Sequence, residues 1–135
     1  MADQELWTEL LKQMHRRYQA VDEVFRQTKE IADALSRDDR MAAQMLLGMR
    51  QEELDRLTES KEKIYLLLEC ADQQERTEIL NLLEGKCKAS LEASFEEKKI
   101  GEIGENIRRN LEKIVALDRM ISVKLAEKDS FYKQP

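Results

Sequence analysis

Proline is almost missing from this 135-residue chain: one occurs, and it is the final residue, Pro135. No helix before it is therefore broken by a residue that lacks a backbone N–H and clashes with the preceding turn. Glycine is scarce, with four residues, and aromatic side chains make up only 5%. A sheet protein needs more turn punctuation and more β-branched and aromatic residues, so the composition points to an all-α fold. The single histidine, His15, stands among Lys12, Arg16 and Arg17, where it reads as a boundary or exposed residue. It cannot supply the paired Glu-x-x-His motifs of a di-iron bundle. Cys70 and Cys87 stand in neither a Cys-x-x-Cys nor a metal-ligand spacing and read as reduced, partly buried small side chains. Adjacent carboxylates such as Glu52-Glu53 and Glu96-Glu97 point about 100° apart on a helix and do not converge on an ion. Glycine-rich phosphate loops, nucleophile elbows and zinc spacings are absent, so no catalytic residue, metal or cofactor is expected.

No long apolar run is present either, which excludes insertion into a membrane as a helix. The opening residues Met1-Ala2-Asp3-Gln4-Glu5 lack the basic and apolar segments of a signal peptide, so the expected location is the cytoplasm. Charge of one sign is not concentrated anywhere. The 28 acidic and 23 basic residues, net −5, interleave at helical spacing, and no cationic stripe could follow a phosphate backbone. Nucleic acid is excluded as a partner on that ground. The pairs Arg16-Arg17, Lys98-Lys99 and Arg108-Arg109 all have acidic neighbours and read as solvated helix faces.

What the chain does have is apolar residues at alternating spacings of four and three. Trp7, Leu11, Met14, Tyr18, Val21, Phe25, Thr28, Ala32 and Leu35 form an unbroken heptad seam, which predicts a first helix over residues 3–37. Ser36-Arg37-Asp38-Asp39 then offers short polar side chains for a tight reversal, with either aspartate able to cap the next helix. A second helix is expected over residues 40–71, its seam formed by Ala43, Leu47, Leu54, Leu57, Ile64, Leu68 and Ala71. Arg50 and Lys61 fill the two remaining seam positions, with stems over apolar surface and charges in water.

Asp72 suits the N-cap of a third helix, expected over residues 73–98, with Glu75 as its capping-box partner and Ile79, Leu80, Leu82, Leu83, Cys87, Leu91 and Phe95 on its apolar side. Within it, Gly85 either permits a close crossing or loosens the middle. Gly101 and Gly104 read as a hinge or turn before a fourth helix over residues 102–128. Residues 129–135 read as a flexible tail. The predicted architecture is one domain, residues 1–128: an antiparallel hairpin of long helices with two shorter helices packed along it, in coiled-coil-like fashion.

Two stretches hold more apolar surface than a simple bundle consumes. One is the methionine-rich start of the second helix, Met41, Met45, Leu46, Leu47 and Met49; the other is the fourth helix, whose apolar residues span an arc of about 160°. Such surplus surface points to recognition of another protein by helix faces.

The string Glu53-Leu54-x-x-Leu57-Thr58-x-x-Lys61-Glu62-x-Ile64 resembles the middle of bacterial flagellar export chaperones of the FlgN and FliT kind. Glu105-Asn106-Ile107-Arg108-Arg109-Asn110-Leu111-Glu112-Lys113-Ile114 is similar to the asparagine-containing last helix of FlgN-type proteins, and Ser130-Phe131-Tyr132-Lys133 to their short tyrosine-bearing tail. The resemblance implies a cytoplasmic chaperone that keeps a late flagellar subunit, such as a hook-associated protein or the filament cap, soluble before type III secretion. The wide arc of the fourth helix places the expected client strip at Ile107, Leu111, Ile114, Val115, Ile121 and Leu125, with Gly101 and Gly104 letting that helix reorient. The rival expectation is a self-associating coiled-coil adaptor or structural homodimer, in which the same surface meets its own copy.

Overall fold

The structure, a computed structural model, describes residues 4–133, with side chains through Glu127. Its elements are four helices, α1 (Gln4–Ser36), α2 (Arg40–Leu68), α3 (Gln73–Leu83) and α4 (Phe95–Lys133), and no strand occurs among the described residues. The fold is an all-α helical bundle.

Helix α1 is its axis. Beside the seam that starts at Trp7 runs a second with the same spacing: Leu10, Met14, Arg17, Val21, Val24, Thr28, Ile31 and Leu35. Apart from Arg17, every member of this second seam is buried. A further column, Gln13, Ala20, Gln27 and Ala34, is buried as well. At 3.5 residues per turn the covered arc is about 150° wide, more than one neighbour can shield. Two long helices supply the cover, since α1 packs against both α2 and α4.

Helix α2 returns antiparallel to α1, so that Leu57 lies beside Arg17 and Arg50 beside Thr28. The reversal uses both aspartates: Asp38 takes a left-handed φ of 61°, and the Asp39 carboxylate caps α2 by accepting from the Ala42 N–H at 3.1 Å. Helix α4 runs parallel to α1. Gln4 hydrogen-bonds Glu96 near the start of both helices, Lys113 sits 5.7 Å from the Phe25 ring centre, and Ile121 packs with Ile31 and Leu35 near the end of α1. Because α2 has already brought the chain back to the end where α1 begins, helix α3 and the 84–94 connection only have to join α2 to α4 across that end.

The third helix is shorter than expected and the fourth longer. Gly85 adopts φ 72°, the Gly85 N–H donates to Leu82 O at 3.1 Å and the Lys86 N–H to Asn81 O at 2.9 Å. This is a Schellman motif, and it ends α3 at Leu83 instead of letting it continue to residue 98. The chain re-enters helix at Phe95 because Ser94 caps it, with the Glu97 N–H donating to Ser94 Oγ at 3.2 Å and the Ser94 hydroxyl to Glu97 Oε1 at 3.5 Å. Cys87 and Leu91 therefore lie in the connection and Phe95 opens α4, none of them on the face of a third helix. Leu91 is 94% exposed. Cys70 and Cys87 are free and exposed, not partly buried. Helix α2 stops at Leu68, and the stretch read as the start of a tail continues α4 to Lys133; Gln134 and Pro135 lie outside the described residues.

Gly101 and Gly104 are not a hinge. Both are buried inside α4 where α3 ends against it. A Cβ on Gly104 would stand 2.5 Å from Leu83 O and 2.8 Å from Leu82 O, and one on Gly101 would stand 2.9 Å from Leu82 Cδ1. The glycines let the helices approach to backbone contact. Arg50 also departs from expectation. Its charge does not reach for water: Nη1 donates to Asp118 Oδ1 at 2.6 Å and to Thr28 Oγ1 at 3.1 Å, tying α2 to α4 over α1.

Two measurements check this packing. Gly104→Ala is expected to lower stability in urea denaturation by about 1–3 kcal/mol through overpacking, against the helix propensity that alanine adds. Gly48→Ala, in α2 with nothing within 4 Å of the new methyl, is expected to raise it by about 0.5–1 kcal/mol. Asp118→Ala leaves the half-buried Arg50 with the Thr28 hydroxyl alone and is expected to cost about 1–2 kcal/mol, with a coupling of at least ~0.5 kcal/mol in a double-mutant cycle with Arg50→Met.

Candidate protein-binding groove

Because α2 and α4 each cover one flank of α1, a trough of about 590 Å³ remains between them. Met14 and Arg17 of α1 form its floor, Ile64 and Tyr65 stand on the α2 side, and Ile107, Leu111 and Val115 on the α4 side. Leu80 and Leu83 of α3 close one end; at the other, beside Arg119, lies the Arg50–Asp118 bridge. From Gly104 to Arg119 the α4 wall is about 23 Å long, which matches roughly four turns of a helix laid in the groove.

The six residues of the expected client strip do not form one surface. Ile107, Ile114 and Ile121, seven apart, face inward: Ile107 and Ile114 join the main core cluster, and Ile121 a smaller one with Ile31, Leu35 and Ala43. Leu111, Val115 and Leu125 are 38%, 49% and 41% exposed. Ile107, Leu111 and Val115 line the groove, while Leu125 lies beyond it along α4. The breadth of the apolar arc thus has two causes: one edge seals the core and the other lines the trough.

The polar residues of the lining are unevenly matched. Arg108 pairs with Glu112 at 3.5 Å and donates to Gly85 O at 3.2 Å; Glu84 pairs with Lys86 at 2.8 Å. Arg17, Lys61 and Arg119 have no carboxylate partner among the described residues. Arg17 is not the solvated face that the Arg16-Arg17 pair suggested. It is half-buried and donates to Leu57 O at 3.1 Å, and burial lowers its pKa from the usual arginine value, an effect partly offset by Tyr65. It stays charged at any physiological pH.

Arg17, Tyr65, Leu80 and Leu83 were not among the residues singled out for binding. A signal for Arg17 was present: it is the one charged member of the seam from Leu10 to Leu35. A second exposed apolar stretch is the row Met41, Met45 and Met49 along α2, where Met41 is 83% exposed. No cluster of three or more histidine, cysteine or acidic side chains among the described residues is arranged to hold a metal ion. Nor is any helix among them long and apolar enough to cross a membrane. Compared with protein-family models, curated proteins and solved structures, the chain matches none.

Proposed function

We propose that this protein is a cytoplasmic export chaperone that takes an amphipathic helix of a late flagellar subunit, a hook-associated protein or the filament cap, into the groove between α2 and α4. The observation that carries the reading is the groove itself, four helical turns long with apolar walls in which Leu111, Val115 and Tyr65 are half open to solvent. Both walls come from stretches that resemble FlgN- and FliT-like chaperones: Lys61 and Ile64 from residues 53–64, Ile107 and Leu111 from residues 105–114. A client segment that is unfolded before assembly exposes apolar strips prone to premature association, and a groove that covers such a strip prevents it. On this reading the protein catalyses no reaction and needs no cofactor. The contact falls on Ile107, Leu111 and Val115, while Ile114 and Ile121 support it from the core.

The test is co-expression with hook-associated and filament-cap subunits from the same genome. The wild-type protein is expected to retain one of them in the soluble fraction and to co-purify with it. Leu111→Asp and Val115→Asp, at half-exposed positions, are expected to keep the helical circular-dichroism spectrum and melting point while losing at least tenfold in client affinity, since each puts a charge into an apolar contact. Retention of no such subunit by the wild type, or equal binding by both folded variants, overturns the proposal.

The exposed row Met41, Met45 and Met49 favours a second reading, self-association of the chain as an adaptor. Sedimentation over a concentration series separates the two: a chaperone is expected to remain monomeric without client, whereas a dimer dissociated by Met45→Lys supports the adaptor.

A further inference from the structure

Two arginines occupy positions where a heptad seam calls for an apolar side chain. Arg50, on the α2 seam, is satisfied within the molecule by Asp118 Oδ1 at 2.6 Å. Arg17, on the α1 seam between Met14 and Val21, has a backbone carbonyl, Leu57 O at 3.1 Å, and no carboxylate partner among the described residues. It lies on the floor of the groove. Any helix that settles there strips water from Arg17, and a purely apolar helix would leave the cation buried without a counter-charge, a strongly unfavourable state. The same trough is lined by Lys61 and Arg119, likewise without carboxylate partners among the described residues, so it is cationic in a chain whose net charge is −5.

We infer that the partner helix accepted by this groove carries an aspartate or glutamate inside its apolar face, placed to pair with Arg17, and acidic residues along its margins opposite Lys61 and Arg119. The inference rests on the groove reading made above and adds the chemistry of what fills it. A guanidinium fork pairs with a carboxylate through two parallel hydrogen bonds, which specifies register as well as charge. The carboxylate on the partner does for Arg17 what Asp118 does for Arg50. Arg17 is thus a specificity-determining residue: it rejects apolar helices of the right shape and admits those with one acidic residue at the right turn.

The experiment is a selection on the full-length chain from a displayed library of amphipathic helices about fifteen residues long. The library's apolar stripe is fixed as leucine, isoleucine, methionine or phenylalanine, except at one central stripe position and at the margins, which are randomised. Binders are counter-selected against Leu111→Asp. The expected result is enrichment of aspartate or glutamate at the central position. Replacing that carboxylate by its amide in a purified winning peptide is expected to weaken binding to the wild type about tenfold, and binding to Arg17→Met less than twofold, because the charge-assisted pair is gone. Arg17→Met keeps a long unbranched stem on the seam and is expected to stay folded, with its melting point as the control. Arg17→Glu is expected to select lysine or arginine at the same position. Winners without acidic enrichment, or an amide penalty unchanged in Arg17→Met, overturn this inference and leave the groove standing. Failure of any library member to distinguish the wild type from Leu111→Asp removes the groove reading itself.

Discussion

Everything in this fold depends on the two-sided burial of α1. A helix whose covered arc is about 150° wide cannot be satisfied by one neighbour, and the seams that share Met14, Val21, Thr28 and Leu35 commit it to two. Helix α2 reaches its flank through the short reversal at Asp38 and Asp39. Helix α4 starts at the end to which α2 has returned and runs parallel to α1, so its long apolar face meets α1 at the same height as α2 does. Three long helices and one short one result. At 11 residues α3 is about 16 Å long, enough to cap one end of the layer and no more. It covers only one end of the trough between α2 and α4 and leaves the rest of that side open.

The groove is therefore a consequence of where α3 stops. That stop is local chemistry: a left-handed Gly85 lets its own N–H and that of Lys86 satisfy the carbonyls of Leu82 and Asn81, and Gly104 gives up a side chain so that the end of α3 can rest on α4 at backbone distance. Arg108 adds a hydrogen bond to Gly85 O from the α4 side. These interactions hold the closed end in place. The far end is held by Arg50, whose guanidinium bridges Thr28 and Asp118 and so spans α2, α1 and α4 at one level. Half-buried ion pairs contribute little net stability, but losing one partner is costly, so a pair of this kind fixes geometry better than it adds strength.

Much of this was legible in the sequence, and the failures share a cause. The heptad seams of α1 and α2, the reversal at Ser36–Asp39 and the Asp72 cap are periodic or short-range signals, and they predict the all-α fold and the long hairpin. The third and fourth helices depart from expectation because apolar residues continue at helical spacing through Leu91 and Phe95 although α3 has already ended at Leu83. Gly85 as a left-handed C-terminal stop and Ser94 as an N-cap were both present and both outweigh an apolar pattern that ends up exposed. Gly101 and Gly104 could not be resolved from sequence alone, since a glycine that bends a helix and one that admits a neighbouring backbone look alike until the neighbour is placed. Of the expected binding strip, Ile107, Leu111 and Val115 line the trough because the arc on α4 is wide; Ile114 and Ile121 do not because the same arc must also seal the core.

On the proposed reading, the shape of the trough suits a helix from another molecule better than a small ligand. The trough is open along its length, its walls are two helices, and Met14 and Arg17 of α1 form its floor. A small molecule would fill part of the volume and leave Leu111 and Val115 in contact with water. A partner helix of about four turns fits the length of the open side between α2 and α4. Ordering such a segment costs conformational entropy, and the cost is met only where apolar burial is continuous from end to end. Arg17 interrupts that continuity on the floor. A groove built for apolar contact alone would place leucine there, so the arginine makes sense as a device for choosing among partner helices, not for holding them more tightly.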